Sequence, residues 1–282
     1  MLIAQVTDLH LGFDPGNEGE TNRRRLDAVL GYIAAMRVRP DMVFATGDLV
    51  EHGDVESYRA VRDAFESKGL HPWPCLGNHD VRANFASVFP EIPLAKGFCQ
   101  YEIDQGDLRI LVLDTLEEGR HGGAFCSVRA RWLSARLSEQ PERPTAIVMH
   151  HPPVAVGIDW LDVANDAPWV ARFQECIAGR TNIVGVMCGH LHRPLTCRWN
   201  MTTIAVCAAT APQIVLDLSP VDIECPDDRP MLADDPPAYA LHRWDGHTLV
   251  THFDTVGPQS VLARFDSRMQ PLLRSMMAER AP

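Results

Sequence analysis

Short apolar runs alternate with longer amphipathic stretches through the first 90 residues of the chain. Residues 2–6, 42–46 and 72–76 are apolar runs with the length of buried strands. Between them, residues 22–37 and 54–69 space their apolar positions at the helical period. The prolines of the third run favour an edge position or an irregular strand. This alternation of strands and helices predicts an α/β fold built on a largely parallel sheet.

Strand patterns dominate the rest of the chain. Residues 98–104 and 108–114 flank a Gln-Gly-Asp turn, which indicates a β-hairpin. Helices are predicted at 127–139 and 165–179. The other predicted elements are strands at 145–149, 183–188, 202–207, 213–217, 238–244 and 248–254, and a terminal helix at 260–280. Together these elements predict two sheets with helices outside them.

An acidic, proline-rich segment at 218–237 interrupts this pattern. We expect it to be a surface excursion rather than a core element. The main core is therefore expected over residues 1–217, followed by a C-terminal part over residues 218–282. We expect that part to complete the second sheet, to end in the terminal helix, and to serve as a cap or an oligomer contact.

The charge balance limits the partners that this chain can have. Its 282 residues include 26 Lys and Arg against 37 Asp and Glu, a formal net charge of −11 at pH 7. That excess disfavours binding to a nucleic-acid polymer or to an anionic membrane. No apolar run has the length of a transmembrane helix. An aspartate at position 8 comes too early for a secretory signal peptide.

The cysteines point in the same direction. The chain has eight of them, none in a Cys-x-x-Cys pair, and most lie in apolar contexts. This usage favours reduced core thiols, so we expect a cytoplasmic protein. Cys225 lies in the polar segment, and its redox state is left open.

Five predicted strands end in residues that can bind a metal ion. These residues are Asp8, His10, Asp48, Asn78, His79, Asp80, His150, His151, His190 and His192. Each short motif alone has an ordinary explanation as a turn, a helix cap or an exposed histidine. Their joint occurrence at strand ends predicts one metal site, because ligands collect at the carboxyl ends of strands in α/β sheets.

The motifs Asp-x-His, Gly-Asp, Gly-Asn-His-Asp, His-His and Gly-His-x-His resemble those of the calcineurin-like metallophosphoesterase superfamily. They run from Asp8 to His192, about two-thirds of the chain. The His-His-Pro-Pro motif, followed by Gly-Ile-Asp-Trp-Leu-Asp at 157–162, is similar to the branch of bacterial class III cyclic nucleotide phosphodiesterases and glycerophosphodiesterases. The resemblance implies a four-layer αββα sandwich of two mixed sheets, with residues 1–217 as the catalytic core. It also implies a dinuclear metal centre at the carboxyl ends of the strands.

The resemblance distributes seven ligands between two ions. One ion would be held by Asp8, His10, Asp48 and His192. The other would be held by Asp48, Asn78, His150 and His190, so that Asp48 bridges the pair. These donor types suit Fe, Mn, Zn or Co, and they leave the identity of the metal open. A hydroxide between the ions would attack phosphorus in line, without a phospho-enzyme.

The Gly-Asn-His-Asp motif carries the implied substrate contacts. Asn78 and His79 are expected to bind substrate, and His79 to contact phosphate oxygens and protonate the leaving group. We expect Asp80 to orient His79, to cap the helix that begins near Val81, or to do both.

Four further residues are not assigned to the site. His151 is left open between a position behind the ligands and a structural role. His121, in a glycine-rich stretch, is expected to lie in a flexible surface loop. Asn22 and Arg23 open the first helix and are left without a role.

The expected function is hydrolysis of a small phosphodiester, either a glycerophosphodiester or a 3′,5′-cyclic nucleotide. Segments 152–168 and 218–237 are candidate outer loops around the substrate, and a homo-oligomer (dimer or higher) is expected through 218–237 and 260–280. The alternatives are a phosphomonoesterase, a nucleotidase or a nuclease of the same fold, and a scaffold that has lost its metals. The net acidity disfavours a nuclease, and the complete ligand set disfavours a scaffold.

Overall fold

The computed structural model describes residues 1–17, 19–164 and 166–280. Its elements, in chain order, are β1 (Leu2–Val6), α1 (Thr21–Ala34), β2 (Met42–Thr46), α2 (Val55–Glu66), β3 (Pro72–Cys75), α3 (Arg82–Val88), β4 (Tyr101–Gln105), β5 (Leu108–Val112), α4 (Ser127–Glu139), β6 (Thr145–Val148), α5 (Pro168–Ile177), β7 (Ile183–Cys188), β8 (Leu195–Trp199), β9 (Thr202–Val206), β10 (Gln213–Ile214), β11 (Leu232–Ala233), β12 (Ala238–Trp244), β13 (Leu249–Thr255) and α6 (Gln270–Ala278). None of the described helices is both long and apolar enough to cross a membrane.

Two mixed sheets form the centre of the molecule. The first has the strand order β13-β12-β1-β2-β3, in which β1, β2 and β3 are parallel. The second has the order β4-β5-β6-β7-β9-β8, with a parallel centre and antiparallel strands at both edges. The predicted α/β fold with two sheets is confirmed, and so is the edge position of β3.

Strand β5 shows how the layers pack, because successive residues of a strand face opposite sides of its sheet. Ile110 and Val112 are fully buried in the core that the two sheets share. Leu111, between them, belongs to a second core with Leu133 of α4 and Phe173 of α5. The buried cluster of Ile110 and Val112 continues through the first sheet to the buried faces of helices α1, α2 and α3. The layers therefore follow the order helix, sheet, sheet, helix, which is the four-layer sandwich that the resemblance implies.

Side-chain hydrogen bonds fix the two sheets relative to each other near the strand ends. Gln5 of β1 donates through Nε2 to the carbonyl oxygen of Cys188 in β7 at 2.8 Å, and to the Thr46 hydroxyl at 2.8 Å. Its Oε1 accepts from the buried His242 of β12 at 2.9 Å. One buried amide thus aligns the ends of β1, β2 and β7.

The C-terminal strands correct one prediction. Residues 218–282 are predicted to complete the second sheet, but β12 and β13 extend the first sheet, with β12 antiparallel to β1. The register pairs Leu2 with Arg243 and Gln5 with Ala240. The physical reason is that β2 covers only one edge of β1, so the main-chain groups on the other edge need a strand partner.

Three further differences concern weakly patterned segments. The edge strand β8 is not predicted, because it exposes Thr196 and Arg198 and is only five residues long. The predicted strand at 213–217 pairs over two residues, Gln213 and Ile214. The terminal helix begins at Gln270 instead of residue 260, and none of its residues is buried.

Candidate metal centre

The predicted ligands lie at strand ends that both sheets bring to one edge of the sandwich. They follow β1, β2 and β3 of the first sheet and β6 and β7 of the second. The side chains that meet there belong to Asp8, His10, Asp48, Asn78, His150, His190 and His192. Residues far apart in sequence thus form one cluster, as the strand-end positions predict.

One group of ligand atoms surrounds the space between β1 and the loop after β7. The Nε2 atoms of His10 and His192 lie 3.1 Å apart, and His192 Nε2 lies 3.4 Å from Asp8 Oδ1. His10 Nε2 lies 3.8 Å from Asp48 Oδ2. Donor atoms at these separations fit ligands of a common ion, so the set predicted for the first metal is brought together.

A second group of ligand atoms also contacts Asp48. His150 Nε2 is 3.3 Å from Asp48 Oδ2 and 3.3 Å from Asn78 Oδ1. The ring of His190 lies 5.2 Å from that of His150, centre to centre. Its main-chain N–H donates to the Asp8 carboxylate at 3.0 Å. Asp48 therefore lies between the two groups, as a bridging ligand must.

Five of these ligands have a strained backbone. Positive φ angles of 47° to 75° occur at Asp8, His10, Asp48, His190 and His192. A non-glycine residue in this region costs on the order of 1–3 kcal/mol and persists only where its surroundings hold it. Here the Asp8 N–H donates to the Gly47 carbonyl at 3.0 Å, and the His10 N–H to the Asp48 carbonyl at 3.0 Å. The loops of β1 and β2 thus hold each other in the conformation that points the ligands inward.

Two glycines allow the chain to approach the carboxylates closely. A Cβ at Gly77 would lie 2.2 Å from Asp48 Oδ1, and one at Gly189 would lie 2.0 Å from Thr7 Oγ1 and 2.9 Å from Asp8 Oδ2. No real side chain tolerates such distances, so both motifs need glycine before the ligand residue that follows.

The outer nitrogens of three ligand imidazoles have acceptor partners. His10 Nδ1 lies 2.7 Å from a carboxylate oxygen of Glu51. His150 Nδ1 lies 2.8 Å from the Thr46 carbonyl, and His192 Nδ1 lies 2.8 Å from the Pro212 carbonyl. Since these partners only accept, each Nδ1 carries a proton, and each Nε2 is directed at the cluster. This arrangement is typical of metal-ligating histidines, so the residues fit a pair of metal ions.

The charges of the cluster are strongly coupled. Burial opposes ionisation of Asp48, but His150 and His10 outweigh it and hold the Asp48 pKa well below its usual value. Burial likewise opposes protonation of His150, yet Asp48 raises the His150 pKa to about 9. Burial and the charge of His150 lower the pKa of His190 to about 3. A positive charge among these groups is favoured, which suits a site for cations.

His79 lies at the rim of the cluster. Its main-chain N–H donates to Asp48 Oδ1 at 2.9 Å, and its ring contacts that of His10 edge-on at 4.7 Å between centres. Its Nδ1 lies 3.0 Å from the Glu51 carbonyl oxygen, which leaves Nε2 for substrate. Its side chain is about one-quarter exposed, so the ring faces both the ligands and the solvent.

The role predicted for Asp80 is wrong in its geometry. Its carboxylate is buried and accepts from the Gly77 N–H at 2.8 Å, the Leu49 N–H at 3.3 Å and the Tyr58 hydroxyl at 2.9 Å. Val81 is the residue that precedes helix α3, and it has no side-chain cap. The Asp80 carboxylate therefore links the loop after β2 to the loop after β3 through buried hydrogen bonds. It neither hydrogen-bonds to the His79 side chain nor caps the helix. Burial, with the charge of Asp48, raises its pKa to about 7.

His151, whose role the sequence leaves open, and His121, which the sequence places in a surface loop, are joined by a hydrogen bond. His151 Nδ1 accepts from the Thr115 hydroxyl at 2.8 Å, and His151 Nε2 donates to the His121 carbonyl at 3.2 Å. Both ring nitrogens have hydrogen-bond partners, and the ring lies 4.6 Å from that of His190, centre to centre, so His151 packs directly against a predicted ligand. It anchors the loop of His121, which is exposed as predicted but holds its ring 6.1 Å from that of His79.

Asn22 and Arg23, near the start of α1, differ in their relation to the cluster. Asn22 is buried and donates through Nδ2 to the His10 carbonyl at 2.9 Å, so it supports a ligand loop. Arg23 pairs with Asp27 at 3.1 Å and donates to the Ala60 carbonyl, away from the cluster.

Glu51 is a site residue that the sequence does not single out. It lies three residues after Asp48, and its carboxylate contacts His10. Its position close after a ligand motif is a weak sequence signal for a role in the site, because acidic residues are common in loops.

Comparison with known proteins decides the family. The family model described as calcineurin-like phosphoesterase matches residues 1–194. The chain belongs to the calcineurin-like phosphoesterase family. Members of this family use a dinuclear metal centre, and the clustered ligands of this chain provide the side chains for one. The resemblance drawn from the motifs is thereby confirmed.

Relatives within this family are named as phosphodiesterases. A probable glycerophosphodiester phosphodiesterase of Arcobacter nitrofigilis is 27% identical over 91% of this chain and 94% of its own length. A probable cyclic nucleotide phosphodiesterase of Synechococcus is 35% identical over 75% of this chain and 81% of its own length. The predicted enzyme class, a phosphodiesterase of this family, is confirmed.

Solved structures share the fold at low identity. A dimetal phosphatase from Danio rerio matches with a TM-score of 0.58 and 14% identity, over 91% of this chain and 99% of that one. GAP50, described as the anchor in the inner membrane complex of Plasmodium, matches with a TM-score of 0.60 and 12% identity, over 93% and 87%. A phosphatase and an anchor share this calcineurin-like fold, so the site and not the fold carries the functional argument.

Proposed function

We propose that this calcineurin-like phosphoesterase hydrolyses a small phosphodiester, either a glycerophosphodiester or a 3′,5′-cyclic nucleotide. The observation that carries the proposal is the complete set of inward-facing ligand atoms around Asp48, with His79 at its exposed rim. The names of the relatives support both substrate classes, since they include glycerophosphodiester and cyclic nucleotide phosphodiesterases. A small substrate also suits the net charge of −11, which disfavours a polyanion.

The ligands are proposed to divide as the family motifs imply. Asp8, His10 and His192 would hold one ion, and Asn78, His150 and His190 would hold the other. Asp48 would be a ligand of both ions. Iron, manganese, zinc and cobalt all accept carboxylate, imidazole and amide oxygen donors, so cellular supply selects the metal.

The chemistry follows from the positions of the side chains. When bound, the two ions supply Lewis-acid polarisation of the phosphoryl group and activation of water. Asn78 and His79 form the edge that meets the phosphate oxygens. His79 keeps its Nδ1 proton on the Glu51 carbonyl, so its Nε2 faces the leaving oxygen and delivers a proton to it when the imidazole is protonated.

The C-terminal part is proposed as an assembly surface. Helix α6 buries none of its residues, although Leu272, Met276 and Met277 are apolar and at least half exposed. Leu218 and Ile223 of the acidic segment are exposed as well. Exposed apolar side chains in such number support a homo-oligomer, a dimer or larger. Segments 152–168 and 218–237 contact each other through the Val221 N–H and Asp159 at 2.8 Å, which supports a joint role as outer loops.

We also propose a cytoplasmic location. All eight cysteines are free, and only Cys225 among them is exposed. Free thiols in such number are typical of a reducing compartment.

An assay on model substrates tests the proposed function. Enzyme loaded with Mn²⁺ is expected to hydrolyse bis(p-nitrophenyl) phosphate faster than p-nitrophenyl phosphate. Asp48→Ala should abolish turnover, and His79→Ala should lower kcat on the order of 10²–10⁴-fold. Diester turnover no higher than that of the Asp48→Ala/His79→Ala double variant would sink the proposal, and faster monoester turnover would favour a phosphomonoesterase. Competition among cyclic AMP, glycerophosphocholine and glycerophosphoethanolamine then identifies the substrate class.

A further inference from the structure

Glu51 lies between a predicted metal ligand and the predicted substrate-binding histidine. Its Oε2 is 2.7 Å from His10 Nδ1 and 3.7 Å from His79 Nδ1. Its carbonyl oxygen is 3.0 Å from the same His79 nitrogen. Its own N–H donates to the Leu11 carbonyl at 2.9 Å, which fixes the main chain at this point. One residue therefore contacts both imidazoles from the side that faces away from the ligand cluster.

The carboxylate distinguishes His10 from the other ligand histidines. His150 and His192 give their Nδ1 protons to main-chain carbonyls, whereas His10 gives its proton to a carboxylate. A charged acceptor holds the imidazole more firmly and makes its other nitrogen a stronger donor. The ion at His10 would thus have one ligand imidazole oriented by a carboxylate, whereas the acceptor behind His150 is a main-chain carbonyl.

The carboxylate has no other described hydrogen bond. Within residues 1–17, 19–164 and 166–280, its side-chain oxygens hydrogen-bond only to His10. The side chain is 17% exposed, so it is held close to the cluster at a desolvation cost. A loop anchor would bond to main-chain N–H groups, as Asp80 does. The contacts of Glu51 are instead directed at the site.

We propose that Glu51 is a positioning residue for the whole centre. Its carboxylate fixes the tautomer and orientation of His10 and strengthens binding of the ion at that histidine. Its main-chain carbonyl holds the Nδ1 proton of His79, and its carboxylate lies 3.7 Å from the same nitrogen. The same residue therefore also aligns the substrate-facing imidazole. The role toward His79 rests on the proposed function, whereas the role toward His10 needs only that the cluster binds metal.

Metal binding tests the first role without any assay of activity. Glu51→Gln and Glu51→Ala should weaken one of two Mn²⁺ sites about 10–100-fold in a calorimetric titration, and leave the other site nearly unchanged. Glu51→Asp, which keeps the charge, should recover part of the loss. Glu56→Gln, a change at an exposed carboxylate of α2, is the matched control and should bind both ions as the wild type does.

Two results would overturn the proposal. One is a Glu51→Gln variant that binds both ions with wild-type affinity. The other is equal weakening of both sites with a lowered melting temperature of the metal-free protein, which would make Glu51 a general structural residue. The intact fold of each variant is checked by circular dichroism in chelator.

A double-mutant cycle tests the second role. Glu51→Gln keeps the main-chain carbonyl but removes the carboxylate charge 3.7 Å from His79 Nδ1. At saturating Mn²⁺ it should therefore lower kcat about tenfold, with a smaller change in KM, because the proton-donating imidazole is less well aligned. Adding Glu51→Gln to His79→Ala should then cost less than it does in the wild type, since the two residues act together. Additive losses would contradict the coupling. If the wild type binds two ions but turns over no phosphodiester, the proposed function fails while the binding result still decides the role toward His10.

Discussion

The Nε2 atoms of His10 and His192 face each other across 3.1 Å. Each imidazole gives its Nδ1 proton to an acceptor on the far side, so two lone pairs meet at this contact. Such a contact is repulsive unless a proton or a cation lies between the two nitrogens. The electrostatic repulsion between the two nitrogens is therefore relieved when a positive charge binds between them.

Metal ions should stabilise the fold through this contact. Free Mn²⁺ at about 100 times its dissociation constant should add about 2.7 kcal/mol to the free energy of unfolding. His192→Ala should remove much of that gain because it deletes one of the facing donors. Melting curves in Mn²⁺ and in chelator measure the difference. His247→Ala, at an exposed histidine, is the control, and an equal metal-dependent gain in His192→Ala would contradict the site.

Asn78→Ala should remove one of the two proposed ions and leave the other bound. Its Oδ1 lies 3.3 Å from His150 Nε2, in the group of ligands proposed for the second ion, so its loss should weaken the second site and leave the first largely occupied. Metal content after dialysis, measured by mass spectrometry, should fall from near two ions per chain toward one. Equal loss of both ions would show that the ligands do not divide as we propose.

Gly189→Ala should disrupt the centre because of a single methyl group. The new Cβ would lie 2.0 Å from Thr7 Oγ1 and 2.9 Å from Asp8 Oδ2. The backbone cannot easily move away, because the Gly189 N–H donates to the His150 carbonyl at 3.0 Å. We expect a loss of about 1–3 kcal/mol in stability from this overpacking, together with loss of metal binding. Gly31→Ala is the matched control: it adds the same methyl group within α1, where nothing lies within 4 Å. It should instead stabilise the protein by about 0.5–1 kcal/mol. Urea unfolding measures both effects.

His242 should make stability depend on pH. Its burial, with the charge of His252, lowers its pKa to about 3. The unfolded chain therefore takes up the proton first, and the free energy of unfolding falls as the pH drops below about 6.5, by up to about 1.4 kcal/mol per pH unit. His242→Gln lacks this proton, so between pH 7 and pH 5 it should lose about 2 kcal/mol less than the wild type. Urea unfolding in chelator measures both, with His247→Gln as control, and parallel pH profiles for His242→Gln and wild type would refute the prediction.

Local patterns predict the ligand side chains well because each stands directly after a strand. Asp8, Asp48 and His150 follow apolar runs, and parallel strands bring their carboxyl ends to one edge. The same patterns fail for Asp80, because the chain direction after Asn78 turns that carboxylate under the loops instead of toward His79. The orientation of a side chain in a loop depends on neighbours that no local spacing encodes.

The sequence by itself determined the α/β class, the two sheets and the identity of the candidate ligands, since these follow from periodicity and from residue type at strand ends. Tertiary structure alone decided which sheet the C-terminal strands join and which residues hold the ligands in place. The hydrogen bond between Gln5 and His242 spans 237 positions, and the contact of Glu51 with His10 spans 41. Such partners meet only after the strands have paired, because the energy that selects them comes from burial and from unpaired main-chain groups rather than from local sequence.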